Sequence, residues 1–171
     1  MTSNFKFQIS NFKNAGFIFL EILIAIALIS IVFVTLLGLA FLSLNLSSSI
    51  EKTIQADDFV REEIEILRSW RDGTTWATNG LGTVNIGPSF PYHLVLDASV
   101  NPNKWNLVAG AETIGGFTRS IVFDRVFRDS NGNIVTSGGT EDLYTKKVTV
   151  NISFSSKTYN VITYLTNWQN K

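Results

Sequence analysis

One acidic residue, Glu21, stands at the front edge of a long uncharged stretch, four residues after Phe17 and five after Gly16. From Ile22 to Leu42 there are 21 residues without a charge. That length makes a helix of about 30 Å, one hydrocarbon thickness. A carboxylate costs about 2.5–3.5 kcal/mol at the centre of a membrane helix, so an acid at its edge calls for a compensating positive group. The nearest Lys or Arg on the helix side is Lys52, far too distant to serve. A cut after Gly16 would supply one, because the new α-amino group of Phe17 is positively charged near neutral pH and sits at the same helix end. The chemistry these residues point to is proteolytic maturation, followed by pairing of an amine with a carboxylate in the same chain or in a neighbour.

Other constellations are weaker. His93 is the only histidine and there is no cysteine, which leaves little for a transition-metal site or for a Ser-His-Asp or Cys-His apparatus. No enzyme activity is expected, and His93 is expected on the surface or at a sheet edge. Asp129, Asn131 and Asn133 have the opening spacing of a calcium loop. Ile134 replaces the glycine that should follow, and the twelfth position is Thr140, so an ordinary hairpin turn is the favoured reading. The run Glu62-Glu63-x-Glu65 could hold a metal or a partner, but a solvated helix face is expected. Trp70, Trp76, Trp105 and Trp168 could form an exposed patch for a glycan or a partner. Core packing is expected for at least two of them, since a small domain needs large apolar anchors.

Composition narrows the classes further. The 171 residues carry 14 basic and 14 acidic side chains. That balance gives no electrostatic footprint for nucleic acid and no polybasic membrane patch. The absence of cysteine excludes disulfides and thiolate metal sites.

These residues need elements to position them. Residues 1–16 form a polar leader with Lys6 and Lys13 and no acid, which keeps it cytoplasmic and sends the helix outward. Residues 17–46 read as a transmembrane helix and 47–72 as its amphipathic continuation. Ile50, Ile54, Val60, Ile64, Leu67 and Arg71 recur at helical spacing as a stripe facing a globular domain. Gly38, the only glycine within the membrane run, is a candidate helix break or close-packing point. Ser30, Thr35 and Ser43 can satisfy their hydroxyls on backbone carbonyls. The helix is expected to stop at Asp72-Gly73. Residues 73–171 are β-rich, with strands expected over 83–87, 92–97, 104–109, 118–128, 146–155 and 158–167. The last two form a hairpin, and Asn131-Gly132 suits a tight turn. The expected fold is α+β, a long N-terminal helix packed on an antiparallel sheet.

The segment G-F-I-F-L-E (Gly16 to Glu21), behind a short basic leader and ahead of an uncharged helix, resembles the class III signal of type IV pilins and type II secretion pseudopilins. Ile18 stands where Thr is common. The resemblance implies a pilin-like fold, cleavage between Gly16 and Phe17 by a membrane prepilin peptidase, N-methylation of Phe17, and a filament-registering role for Glu21. It also implies a helix that can loosen near Gly38 on assembly. A weaker likeness to minor pilin-like proteins rests on R-x-W-R-D (68–72), G-G-F-T-R-S-I (115–121), S-N-G-N-I-V (130–135), K-K-V-T-V (146–150) and Y-L-T-N-W (164–168).

The implied function is that of a minor pilin or pseudopilin in a pilus, type II secretion or DNA-uptake filament. Its partners would be the peptidase, other pilin or pseudopilin subunits, the inner-membrane assembly platform and, before assembly, the lipid bilayer. It would sit as a single-pass inner-membrane protein with its C-terminal domain extracytoplasmic, then in a surface or periplasmic filament. No cofactor is implied, although some pseudopilins bind calcium in a C-terminal loop. The alternative is an adhesin or ligand-binding domain on a pilin-like anchor.

Overall fold

A computed structural model describes residues 15–168. The leader up to residue 14, with the expectations placed on it, lies outside the described residues, as do residues 169–171. The chain divides into two compact units, with the boundary between Glu51 and Lys52. A single helix, α1 (Ala15–Asp72), supplies all that is described of the first unit and the opening of the second.

In the first unit every residue from 16 to 48 is exposed. The helix there is apolar all round, the pattern of a helix that lies in a core or in a membrane. It is long and apolar enough to cross a membrane, with a mean hydropathy of 3.0 over its best window. Ser30 Oγ donates to the Ile26 carbonyl at 2.7 Å and Thr35 Oγ1 to that of Val32 at 2.7 Å, as expected of hydroxyls in an apolar medium. The helix runs unbroken through Gly38.

The second unit lays the end of α1 on an antiparallel sheet. Its strands are β1 (Tyr92–Asp97), β2 (Lys104–Ala109), β3 (Glu112–Ile114), β4 (Phe117–Arg128), β5 (Ile134–Val135), β6 (Thr140–Phe154) and β7 (Lys157–Thr166). The order across the sheet is β2-β1-β4-β6-β7, with β3 and β5 both paired to β4. Alternation fixes which face turns inward. Phe117, Ile121 and Phe123 of β4 are buried, as are Val148, Val150, Ile152 and Phe154 of β6. They meet Ala56, Val60, Ile66 and Leu67 of α1 in one core. Phe59 of the helix packs on Phe117 with ring centres 5.3 Å apart, and Phe117 on Phe154 at 5.0 Å. Ser155-Ser156 turns β6 into β7, giving the expected hairpin.

Four expectations need correction. Residues 83–87 are not a strand: Val84 and Ile86 do pack on the core, but among the described residues no strand pairs with them. Their backbone is held instead by Asn85 N–H to Tyr92 Oη (3.1 Å) and Gly87 N–H to the Phe123 carbonyl (2.8 Å). The expected helix stripe holds in part: Val60 and Leu67 are buried and Ile64 packs on the core, but the buried face begins at Ala56 and includes Glu63, at spacings of four, three and four, and Ile54, roughly half a turn from Ala56 at 100° per residue, is 56% exposed. Ile50 is exposed too. The helix does end at Asp72, yet Gly73 is not in the left-handed region. The closing bonds are Gly73 N–H to Ser69 O (3.0 Å) and Thr74 Oγ1 to the Trp70 carbonyl (2.9 Å). Lastly, Glu63 is not on a solvated face; it is 1% exposed.

Candidate functional site

At the N-terminal junction, Gly16, Phe17 and Glu21 all lie on α1 and all are exposed. Phe17 to Glu21 is an i,i+4 spacing, which stacks the two on one helix face. The structure places these residues at the front of the apolar helix, as their spacing requires. The Asp129 region is an ordinary turn between β4 and β5. Asp129 Oδ1 accepts from Asn131 N–H (2.9 Å) and Asn133 N–H (2.8 Å), and Oδ2 accepts from Asn133 Nδ2 at 3.2 Å. Gly132 adopts φ +84°. Both carboxylate oxygens are thus engaged in folding the turn. These bonds, led by the Asn133 N–H, hold the Asp129 carboxyl below the usual carboxylate range. Among the described residues no group of three His, Cys, Asp or Glu side chains is placed to hold a metal.

The site that the sequence reading missed is the buried charge cluster between helix and sheet. Arg119, on the inward face of β4, is 7% exposed. Its Nε donates to Glu112 Oε2 at 2.7 Å, and its Nη2 approaches the same oxygen at 2.7 Å. Glu112 of β3 is its direct cross-strand partner. Glu63 of α1 brings Oε1 to 2.9 Å from Arg119 Nε. That N–H is aimed at Glu112, so Glu63 gains Coulomb attraction without a hydrogen bond, and neither of its oxygens has a hydrogen-bond partner. Burial therefore dominates and raises the Glu63 carboxyl from 4.5 to about 7. Arg119 opposes the shift, Glu112 and Glu62 add to it, and His93 opposes it weakly.

The tryptophans do not share one patch. Trp70, Trp76 and Trp105 are half-buried against the core, and Trp168 is 56% exposed. Trp168 Nε1 donates to Asp72 Oδ1 at 3.0 Å, tying the segment after β7 to the helix end. Two of them meet in a cleft of about 350 Å³ between the end of α1 and the start of β2, walled by Trp70, Trp105, Asn79, Asn103, Lys104 and Asn106. A second, more apolar cleft of about 390 Å³ runs between α1 and β7 past Ile54, Val60, Tyr159 and Val161. His93, on β1, is half-buried, with Nδ1 3.1 Å from the Gly110 carbonyl. No family model, curated protein or solved structure matches the chain.

Proposed function

We propose that the chain is a minor pilin or pseudopilin, a structural subunit of a type IV pilus-like filament serving a pilus, type II secretion or DNA uptake. The observation that carries this reading is a helix exposed on every side from residue 16 to 48, with Glu21 as the only charge in that stretch. Lipid would cover it first and sister helices would cover it after assembly. Prepilin peptidase would cut after Gly16, and the amine of Phe17, with or without a methyl group, would neutralise Glu21 as the helix leaves lipid. Burying either charge alone costs several kcal/mol after relaxation, so the pair favours one axial register between subunits. Gly38 is the place where the helix would loosen on assembly. The work is mechanical and needs no cofactor or catalytic group.

The test is intact mass and N-terminal sequencing of the protein recovered from membranes of its own host. A mature chain starting at Phe17 is the expected result. A chain retaining Met1 to Gly16, or one cut near Ser47, would overturn the assignment. A second reading, a ligand-binding domain on the same anchor, is favoured by the tryptophan-lined cleft.

A further inference from the structure

We infer that Arg119 exchanges carboxylates with pH: it holds Glu112 while Glu63 is protonated, and turns to Glu63 once Glu63 ionises, releasing β3 from its side-chain anchor. The inference stands on the second unit alone and does not depend on filament assembly.

One guanidinium stands between two carboxylates that differ in their access to water. Arg119 Nε donates to Glu112 Oε2 at 2.7 Å, and Nη2 lies 2.7 Å from the same oxygen. Glu63 Oε1 is 2.9 Å from that same Nε, so a small rotation of the guanidinium redirects the N–H. The Glu63 side chain is 1% exposed with no hydrogen bond to either oxygen, whereas that of Glu112 is 30% exposed. An ionised Glu63 has no water to turn to, while Glu112 can hydrate where it stands. With both acids charged, the one lacking an alternative takes the guanidinium. With Glu63 protonated the preference reverses, because the charge-assisted bond to Glu112 is then the stronger one.

β3 is the element that feels the exchange. It is three residues long and, among the described residues, pairs with β4 alone. Gly110 precedes it and a Gly115-Gly116 turn follows it. Beyond the ladder, its described side-chain bonds are Glu112 to Arg119 and Thr113 Oγ1 to Thr118 Oγ1 at 3.1 Å. Ile114 is 38% exposed and anchors little. Taking the guanidinium away leaves a short edge strand on a three-rung ladder and one exposed hydroxyl pair.

Burial raises the Glu63 carboxyl to about 7, which sets the exchange near neutral pH. Arg119 of β4 opposes the shift, Glu112 of β3 and Glu62 of α1 add to it, and His93 of β1 opposes it weakly. β6 places the apolar Ile152 opposite Arg119 in the ladder. His93 Nδ1 lies 3.1 Å from the carbonyl of Gly110, at the foot of β3, so the imidazole needs its own control.

The experiment is ¹⁵N NMR of the full chain in micelles from pH 5 to 8, following the Arg119 Nε–H resonance and the backbone order parameters of β3. The resonance should shift with a midpoint at about 7, and the β3 order parameters should fall from about 0.85 to about 0.6 across it while those of β6 stay constant. Order parameters report the folded state, so a pH-dependent change in global stability does not move them. Glu63→Gln should hold both readouts at their acid values. Glu112→Gln should lower the Arg119 midpoint by about one pH unit, since the guanidinium then has no rival anion. His93→Gln should leave both transitions in place. A resonance that does not move, β3 order that stays flat while it moves, a transition that persists in Glu63→Gln, or one that vanishes in His93→Gln would overturn the inference.

Discussion

Replacing Glu63 by Gln keeps the shape of the side chain and removes its ionisation. In the wild type the carboxyl titrates near 4.5 when unfolded and at about 7 when folded. Between those values the folded state holds more protons than the unfolded one, so stability falls as pH rises. The contribution is complete below pH 4.5 and is lost through pH 7. At 1.36 kcal/mol per pH unit the loss is about 3 kcal/mol by pH 8, a large share of a small domain's stability. Arg119, Glu112, Glu62 and His93 all face this group, and their influence is already contained in the folded value. Gln mimics the protonated form, so the variant should exceed the wild type by only about 1 kcal/mol at pH 5 and by about 3 kcal/mol at pH 8.

The assay is urea unfolding of the full chain in micelles, followed by near-ultraviolet circular dichroism at pH 5, 6, 7 and 8. Acidic conditions below pH 4 are avoided, because Asp72 and Asp129 have depressed carboxyls and lose stability there for the opposite reason. A wild type whose stability is flat from pH 5 to 8, or a Gln variant weaker than wild type at pH 8, would refute the argument. The first would mean that Glu63 ionises freely, and the second that its attraction to Arg119 outweighs its burial.

Two further outcomes follow from the geometry. Gly139 adopts φ +80° with the Arg128 carbonyl directly where a Cβ would stand, so Gly139→Ala should lower the thermal midpoint by the equivalent of about 2 kcal/mol or more. Gly138→Ala, at φ +73° but in open space, should cost about half as much in the same melt. Under the assembly reading, Glu21→Ala should leave the chain cleaved and membrane-inserted while its yield in sheared filaments drops at least tenfold; an undiminished yield would sink the amine–carboxylate pairing.

Periodicity alone located much of the fold. β1 and β2 occupy the residues expected of them and β4 and β7 differ by a single residue at their ends, whereas β6 begins at Thr140, six residues before its expected start at 146. β3 and β5 escaped notice because three and two residues are too short to show a period, and they exist only through pairing with β4. The segment 83–87 misled for the converse reason: its alternation is real, and a strand also requires a neighbour. The Glu63–Arg119 contact joins residues far apart in sequence, yet a signal was present. Arg119 is the one charge at an inward position of β4, between Phe117 and Ile121, and a buried guanidinium demands an acid. Reading the helix at spacings of four, three and four from Ala56 would have named Glu63 as that acid. Ile50 and Ile54 carried the expected stripe too far toward the N-terminus, where the apolar residues of α1 are exposed, while Val60, Ile64 and Leu67 do face the core.

The sheet is unevenly stitched. β4 runs beside β6 over most of its length, but the β1–β2 hairpin joins β4 through a single register pair, Tyr92 with Ile121. Tyr92 compensates by working in three directions: its ring lies 5.6 Å from Phe123, its hydroxyl accepts from Asn85, and its backbone pairs with Ala109. The hairpin is therefore a flap joined to the sheet's backbone at one end and held elsewhere by side chains, with Leu94 buried in the core and Leu107 and Trp105 packed against it. One wall of the tryptophan-lined cleft belongs to that flap and the other to the helix. Anything gripping both walls would add a second tie between the hairpin and α1 to the one that the core side chains already make.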